Sequence, residues 1–423
     1  MRLTNLILLF TLLIANLLSA QNFNQNEHRW IKGWTNFEPN KVNYPEAEEK
    51  LPNIIDSDTF LRNDIVYLLS GDVYVTSGAA LTIQKGTVIR CDHENPANLI
   101  ITRGSKLIAA GTEAYPIVFT SNKSPKSRTS GDWGGITIVG SGKINTVSGS
   151  GVIQGNFNPQ FAIYGGDQHD EQTTILRYLR IEYAGNKTKK GKGSHALSLY
   201  GLGSTSILDH IMISHSALGS FSWKGGRNNT KNLISYKAEA NDYDISEGFK
   251  GDLNNVIAIR HPYITCSNGS YALAVNGYNH ELGYIKPNAV TDVTITDATL
   301  VNLSDSSNYQ HTTAAIKSSN LATLYIHNSK ISGFSNVIKF DKSYSSVDVI
   351  EKTFKMDNSF FNIHGDGVES RSIEKTSIVN ILKYNRFTKD FLSAEDLFKD
   401  PTNIIAPKFQ LKQSLNNYTV MQE

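Results

Sequence analysis

The sequence predicts an all-β chain wound as a single-stranded, right-handed parallel β-helix, a solenoid with capping N- and C-terminal segments. Three observations predict it. Short runs rich in Val, Ile, Thr and Leu recur along most of the chain, bounded by Gly, Asn, Ser or Lys. Six of them align in columns that alternate apolar and polar at period two. Between them no stretch carries the 3.6-residue periodicity and caps of a helix.

In chain order the reading starts with residues 1–20. Arg2 supplies a positive charge, residues 6–18 are apolar apart from Thr11 and Asn16, and Leu18-Ser19-Ala20 places small residues at a cleavage position. A signal peptide ending at Ala20, with Gln21 as the mature N-terminus, is expected. The apolar stretch is short for a membrane span, and nothing later is apolar enough to be one. The expected location is therefore secreted, periplasmic or at the cell surface, with no transmembrane segment in the mature chain. Residues 21–50 are polar, with Trp30, Trp34 and Pro39, and read as a lead-in covering the first coil.

Residues 51–350 carry the solenoid. Leu81–Ile89, Leu99–Thr102, Lys106–Ala109, Pro116–Thr120 and Gly135–Val139 each read as strand. Further on, the runs beginning at Tyr178, His210, Asn232, Asn255, Asp292 and Thr323 align, at offsets of 32, 22, 23, 37 and 31 residues. A unit near 22 or 23, lengthened here and there by a loop, is the signature of a stacked coil. The alignment places Leu179, Ile211, Leu233, Val256, Val293 and Leu324 in one inward column. Ile181, Ile213, Ser235, Ala258, Ile295 and Ile326 form the next. Stacked, these columns make a core that no single coil could bury alone. The column with His210, Asn232, Asn255, Asp292 and Thr323 is polar and turn-forming. From about 351 to 423 the alignment is lost, and a C-terminal cap or extension is expected, with Ser393 and Asp396 marking a short N-capped helix.

Charge and cysteine content narrow the function. Lys plus Arg (41) nearly balances Asp plus Glu (39), so bulk electrostatics give no reason to expect a nucleic-acid partner. Cys91 and Cys266 are the only cysteines. About seven coils at roughly 4.8 Å each would hold them on the order of 30 Å apart, so two free thiols are expected.

The runs Leu99–Ser121, Gly131-Asp-Trp-Gly-Gly-Ile136, Tyr164-Gly-Gly-Asp167, Leu176–Gly185 and Gly219–Gly226 together resemble a family of secreted β-helix proteins abundant in Bacteroidetes. The resemblance covers roughly residues 50–345. It implies a right-handed parallel β-helix at the cell envelope and brings no established activity with it. Relatives are strongly acidic around Trp223 and Asp242, where this chain departs with Ser220, Lys224, Asn241 and Ser246.

Candidate chemistry is sparse. Asp242, Asp244 and Glu247 fall within six residues, an oxygen-rich loop of the kind that holds calcium, the one cofactor the sequence suggests. Asp167, Asp170 and Glu171 would have to converge on it from another coil. An outward column of Tyr183, His215, Lys237, Arg260, Asp297 and Asn328 would form a polar, partly basic strip. Beside it lie Glu182, Tyr236 and His327, although strand alternation sets these on the opposite face unless a turn re-aims them. The strip suits a polysaccharide partner, or lyase chemistry with Lys237 or Arg260 as base. Trp133 and Trp223 are candidate sugar-stacking rings, with packing at a corner as the competing role. Lys187, Lys189, Lys190, Lys192 and His195 form a basic loop. No Asp-Asp pair or Gly-His-Gly supports a pectinase-like hydrolase, and Gly225-Gly226 lacks the Lys-Ser/Thr of a phosphate loop. The leading expectation is a non-enzymatic envelope protein that binds glycan or a surface protein. The alternative is a carbohydrate-active enzyme of the polysaccharide lyase type.

Overall fold

Parallel pairing of short strands dominates the computed structural model, which describes residues 29–155, 157–186, 193–266, 269–281, 289–303, 314–373, 379–390 and 392–412. An 18-stranded and an 11-stranded sheet run the length of the molecule. The larger sheet bends along its axis, so the coil has three faces. Face A comprises Thr59–Leu61, Ala80–Ile83, Lys106–Ala110, the first half of Thr174–Glu182 and the equivalents that follow it as far as Phe354–Asp357. Face B runs from Glu49–Lys50 through Val88–Cys91 and the second half of Thr174–Glu182 to Arg386–Thr388. Face C is the smaller sheet, Ile54–Ile55 to Val368–Ser370. The expected parallel β-helix is present.

Side-chain alternation explains the core. Leu179, Ile211, Leu233 and Val256 stack rung on rung and are buried, as are Leu199, Trp223 and Ile245 across the coil on face C. The 22- and 23-residue unit is real where no loop intervenes: Ile211 pairs with Leu233, and Leu233 with Val256.

The expected register fails at one place. Val293 pairs with Gly251, not Val256, so Asp292–Thr296 belongs to face A and Thr299–Asn302 continues face B. The corner between the two faces explains the slip. Tyr178, His210, Asn232, Asn255, Asp297, Asn328 and Asn358 sit there with φ between 47° and 58°. This left-handed backbone suits Asn, Asp and His best among non-glycine residues. Their side chains form a ladder: Asn255 Nδ2 donates to Asn232 Oδ1 (3.1 Å), Asn358 Nδ2 to Asn328 Oδ1 (3.4 Å), and Asn328 Nδ2 to Asp297. Tyr178 joins by stacking on the His210 ring at 4.3 Å. Asp297 and Asn328 thus occupy the corner assigned by sequence to Asp292 and Thr323.

The flanks differ from expectation too. The coils do not stop at 350. Phe354–Asp357, Phe360–Ile363 and Arg386–Thr388 add parallel rungs beyond it. The terminal segments lie along face B instead of over an end. Trp34 meets Tyr178 and His210 edge-on (5.9 and 5.6 Å), and Phe37 meets Tyr236 at 5.1 Å, so the described part of the N-terminal segment straps middle coils. Arg128 Nη1 donates to the carbonyls of Pro39 and Val42 (both 3.0 Å), and Arg90 Nη1 to that of Pro45 (2.9 Å), pinning the strap. Met212, Ile234, Ile257, Ile259 and Val301 form one buried apolar cluster with Trp34 and Phe37 and with Leu397, Phe398 and Phe409 from the C-terminus. The helix Ala394–Leu397 carries the expected cap: Ser393 and Asp396 form a reciprocal capping box.

Face C is covered over part of its length by residues 141–171. The antiparallel pair Gly151–Val152 and Ile163–Tyr164 packs there against Tyr74, Ile100, Val139 and Tyr200. Cys91 and Cys266 are both free. Cys91 faces the core on face B. Successive face B pairings lead from its strand through Ile117–Ser121, Thr174–Glu182, Ile207–Ser214 and Thr230–Tyr236 to the strand before Cys266. That makes five steps where the sequence suggested seven. Among the described residues no helix is long and apolar enough to cross a membrane.

Candidate functional site

Four of the six strip residues share one column, which is largely enclosed, and two do not. Tyr183, His215 and Lys237 occupy successive rungs at the corner after face B, with φ of 63°, 56° and 56°. The backbone N–H of each donates to the carbonyl of the next rung at 2.9 Å. The Tyr183 and His215 rings stack at 5.2 Å, and Tyr183 is buried. Burial, assisted by nearby Lys237, holds the His215 imidazole down at about 4. Burial and the Glu182 carboxylate push the Tyr183 phenol up. Both rings are therefore neutral at physiological pH, and Lys237, beside the Tyr236 ring at 5.0 Å, is the strip's charged, partly exposed member.

Arg260 completes the column but faces no solvent (0 % exposed). Its Nη1 is hydrogen-bonded to the Asp242 carboxylate and to Ala240 O (2.8 Å), and Nη2 to Ala238 O (3.4 Å). Residues 238–242 wrap the guanidinium in carbonyls as the chain turns toward face C. Asp242 is equally enclosed, and its second oxygen accepts from Ser235, which in turn meets Ser220 at 2.7 Å. Burial raises the Asp242 carboxyl while Arg260 and Ser235 pull it down, leaving it above its ordinary value. Arg260 is thus not available to a substrate. Asp297 and Asn328, at the other corner, are not part of this column.

The three loop carboxylates do not share a site. Asp242 faces Arg260, and Asp244 points outward and accepts from Asn241 Nδ2 (3.0 Å). Glu247 is buried against the Tyr164 hydroxyl, with Lys224 Nζ at 3.3 Å. Their divergence follows from strand alternation at 242–246 and the left-handed turn at Glu247 (φ 59°). Asp170 and Glu171 serve turns, accepting from Ser204 Oγ (2.8 Å) and Ser141 N (2.6 Å). Among the described residues no three His, Cys, Asp or Glu side chains are grouped as metal ligands. Trp223 is an inward core residue, and Trp133 is buried with its Nε1 donating to Glu182 O (2.9 Å), so neither offers a ring to a sugar. Gly225 and Gly226 end a face C strand with φ of 65° and 80°; a Cβ on Gly226 would meet Leu202 O at 2.3 Å. Lys187, Lys189, Lys190 and Lys192 lie outside the described residues. His195, beyond them, is held below its usual value by burial.

Accessible chemistry lies on face A. One outward column holds Arg177, Asp209, Lys231, Asn254, Thr296, His327 and Asp357 on successive rungs. In the neighbouring column Thr294, Tyr325 and Lys355 succeed one another, and Tyr325 is 45 % exposed. Lys355 Nζ lies 5.7 Å from the Tyr325 ring centre and 3.2 Å from Asp357 Oδ2, while His327 Nδ1 donates to Asp357 Oδ1. Burial tends to raise the Asp357 carboxyl, but the His327 and Lys355 hydrogen bonds outweigh it and hold it below the usual range. The result is an exposed aromatic ring beside Lys355, with the hydrogen-bonded His327 and Asp357 in the adjoining column. The sequence alignment stopped at 350 and so missed Lys355 and Asp357, although Tyr325/Lys355 and His327/Asp357 both recur at 30 residues.

Residues 53–396 match the family described as a pectate-lyase-like β-helix domain. The chain belongs to that family. No match was found among curated proteins or among solved structures. Membership in the pectate-lyase-like β-helix family accounts for the coil and carries no reaction by itself, because function resides in a site and not in a fold.

The strip does make a testable stability statement. An imidazole at about 4 when folded and near 6.5 when unfolded binds its proton only after unfolding across that interval. Stability is therefore intact above about pH 6.5 and falls as pH drops toward 4, by up to about 3 kcal/mol from this residue. Urea unfolding of the wild type and of His215→Asn, which tolerates the left-handed backbone, is expected to show a shallower pH dependence in the variant. Equal slopes would remove His215 from the account.

Proposed function

We propose that this is an exported envelope protein that binds glycan without cleaving it, and that face A is the binding surface. Export is supported by Arg2, the apolar run of residues 6–18 and the small residues before Gln21. The observation that carries the binding reading is the exposed Tyr325 with Lys355 beside it and His327 and Asp357 in the adjoining column, on a sheet face that leaves its outward side chains open. Face B is occupied by the terminal segments, and residues 141–171 occupy part of face C. Aromatic rings flanked by hydrogen-bonding groups suit sugars, which offer apolar C–H faces and hydroxyl rims. Successive rungs at about 4.8 Å would let a polymer lie along the column. The reading excludes lyase chemistry through Arg260, whose guanidinium is enclosed and committed to Asp242.

A glycan-array and polysaccharide-degradation screen on the protein beginning at Gln21, with and without calcium, tests this. Binding without turnover is expected, weakened about tenfold by Tyr325→Ala, a typical loss for an aromatic anchor. New unsaturated sugar ends absorbing in the ultraviolet would make the protein a lyase. Silence towards every glycan would point to a surface protein as the partner.

A further inference from the structure

A second surface, on face C and away from the column just described, has a different charge character. Tyr271, Lys317, Lys339, Phe340, Asp341, Lys342 and Arg371 line a cavity of about 370 Å³. Its position follows from register: Lys317 pairs with Lys339, and Lys339 with Glu369, so all three project from one outward column. Stacking two lysines on adjacent strands is unfavourable unless something neutralises them. Glu369 does so for Lys339 alone, at 2.5 Å. Asp341 is committed to its own turn, accepting from Ser343 N (3.0 Å) and Asn320 N (3.3 Å).

Lys317 lies over the Tyr271 ring at 5.7 Å and has no carboxylate partner among the described residues. The same holds for Lys342 and Arg371, which occupy neighbouring turns tied together by Ser372 Oγ donating to Lys342 O (3.4 Å). Among the described residues four cations thus face two carboxylates around one concavity, an excess of two positive charges. The charge is not spread over a flat surface: it has a wall in Tyr271 and a floor in buried Phe340. The volume is at the small end of ligand sites, about 300–1,000 Å³, and suits a molecule of sugar size.

We propose that this cavity binds a sugar-sized dianion, a phosphate monoester on a sugar, with Arg371 and Lys342 gripping the phosphate and the Lys317–Lys339 pair neutralised by it. A phosphate monoester carries close to two negative charges at neutral pH and three strong acceptor oxygens, matching the excess. The guanidinium can bind two of those oxygens at once. Tyr271 then faces the sugar.

Isothermal titration calorimetry on the chain from Gln21 at low ionic strength, with glucose 6-phosphate, inorganic phosphate and glucuronate as probes, tests the assignment. Glucose 6-phosphate is expected to bind tightest, inorganic phosphate more weakly, and glucuronate, with one charge, weakest. Arg371→Gln and Lys342→Gln are each expected to weaken glucose 6-phosphate about tenfold or more. Lys126→Gln, an exposed lysine outside both face A and this cavity, serves as a control that leaves this binding unchanged, and added salt weakens it. All three substituted side chains are exposed, so unaltered melting temperatures are expected and separate lost binding from lost fold. The proposal is overturned if neither phosphate probe binds, if binding survives Arg371→Gln combined with Lys342→Gln, or if glucuronate binds tightest.

Discussion

Asp242→Leu, with Arg260 left in place, is expected to destabilise the protein by about 3–5 kcal/mol, the range for removing one partner of a buried ion pair. The guanidinium and the carboxylate are both fully enclosed, so neither can fall back on water. The carbonyls of Ala238 and Ala240 would still accept from Arg260, but they cannot cancel a whole charge. Ser235, hydrogen-bonded to Asp242 and Ser220, would lose one partner as well. The companion variant separates charge from packing. Asp242→Leu together with Arg260→Met removes both charges and should recover most of the loss, since well-packed apolar replacements of buried pairs are often neutral or better. Urea midpoints of the two single variants and the double variant provide the test. A double variant as unstable as the sum of the singles would mean that shape, not charge, makes the pair necessary. It also bears on function, because a catalytic arginine needs a path to substrate and this one has none.

How far the sequence could be read depended on which physical signal each feature leaves. Burial leaves a strong one. The column Leu179, Ile211, Leu233, Val256 was legible because apolar side chains recur at period two and at 22 or 23 residues. Register past Asn255 was not. Both halves of the bent strand share the same alternation and each is followed by a polar corner residue, so a slip of half a strand leaves the hydrophobic pattern intact. Only backbone conformation distinguishes them, and the left-handed φ at Asp297 and Asn328 marks the true corner. Charge was misread for a related reason. In sequence Arg260 reads as an outward strand residue and Asp242 as part of a polar loop, and nothing local tells that residues 238–242 fold back over the guanidinium. Lys317 and Lys339 did leave a trace, the repeated Ile-Lys of 316–317 and 338–339. It becomes visible only when the face C strands are aligned with one another.

Trp223 gives the second large expected effect, and it distinguishes a core role from a sugar-stacking one. Its indole points into the coil between Leu199 and Ile245 of the adjacent rungs, with Phe221 stacked at 5.8 Å and Phe249 at 6.0 Å. Trp223→Ala would empty a site in a packed interior and is expected to cost about 3–5 kcal/mol, combining lost transfer energy with a residual cavity. Trp223→Phe should cost much less. It keeps most of the apolar contact and removes an indole N–H that finds no hydrogen-bond partner among the described residues, a group costly to bury. A sugar-stacking ring predicts the reverse pattern: Trp223→Ala would abolish glycan binding and leave the melting temperature alone. Measuring both variants for thermal unfolding and for binding therefore decides between the roles. With 0 % of the residue exposed, the expected result is a large fall in melting temperature for Ala, a small one for Phe, and glycan affinity per folded molecule unchanged in the Phe variant. Tyr325 on face A, 45 % exposed, is expected to show the opposite behaviour, losing affinity with little change in stability.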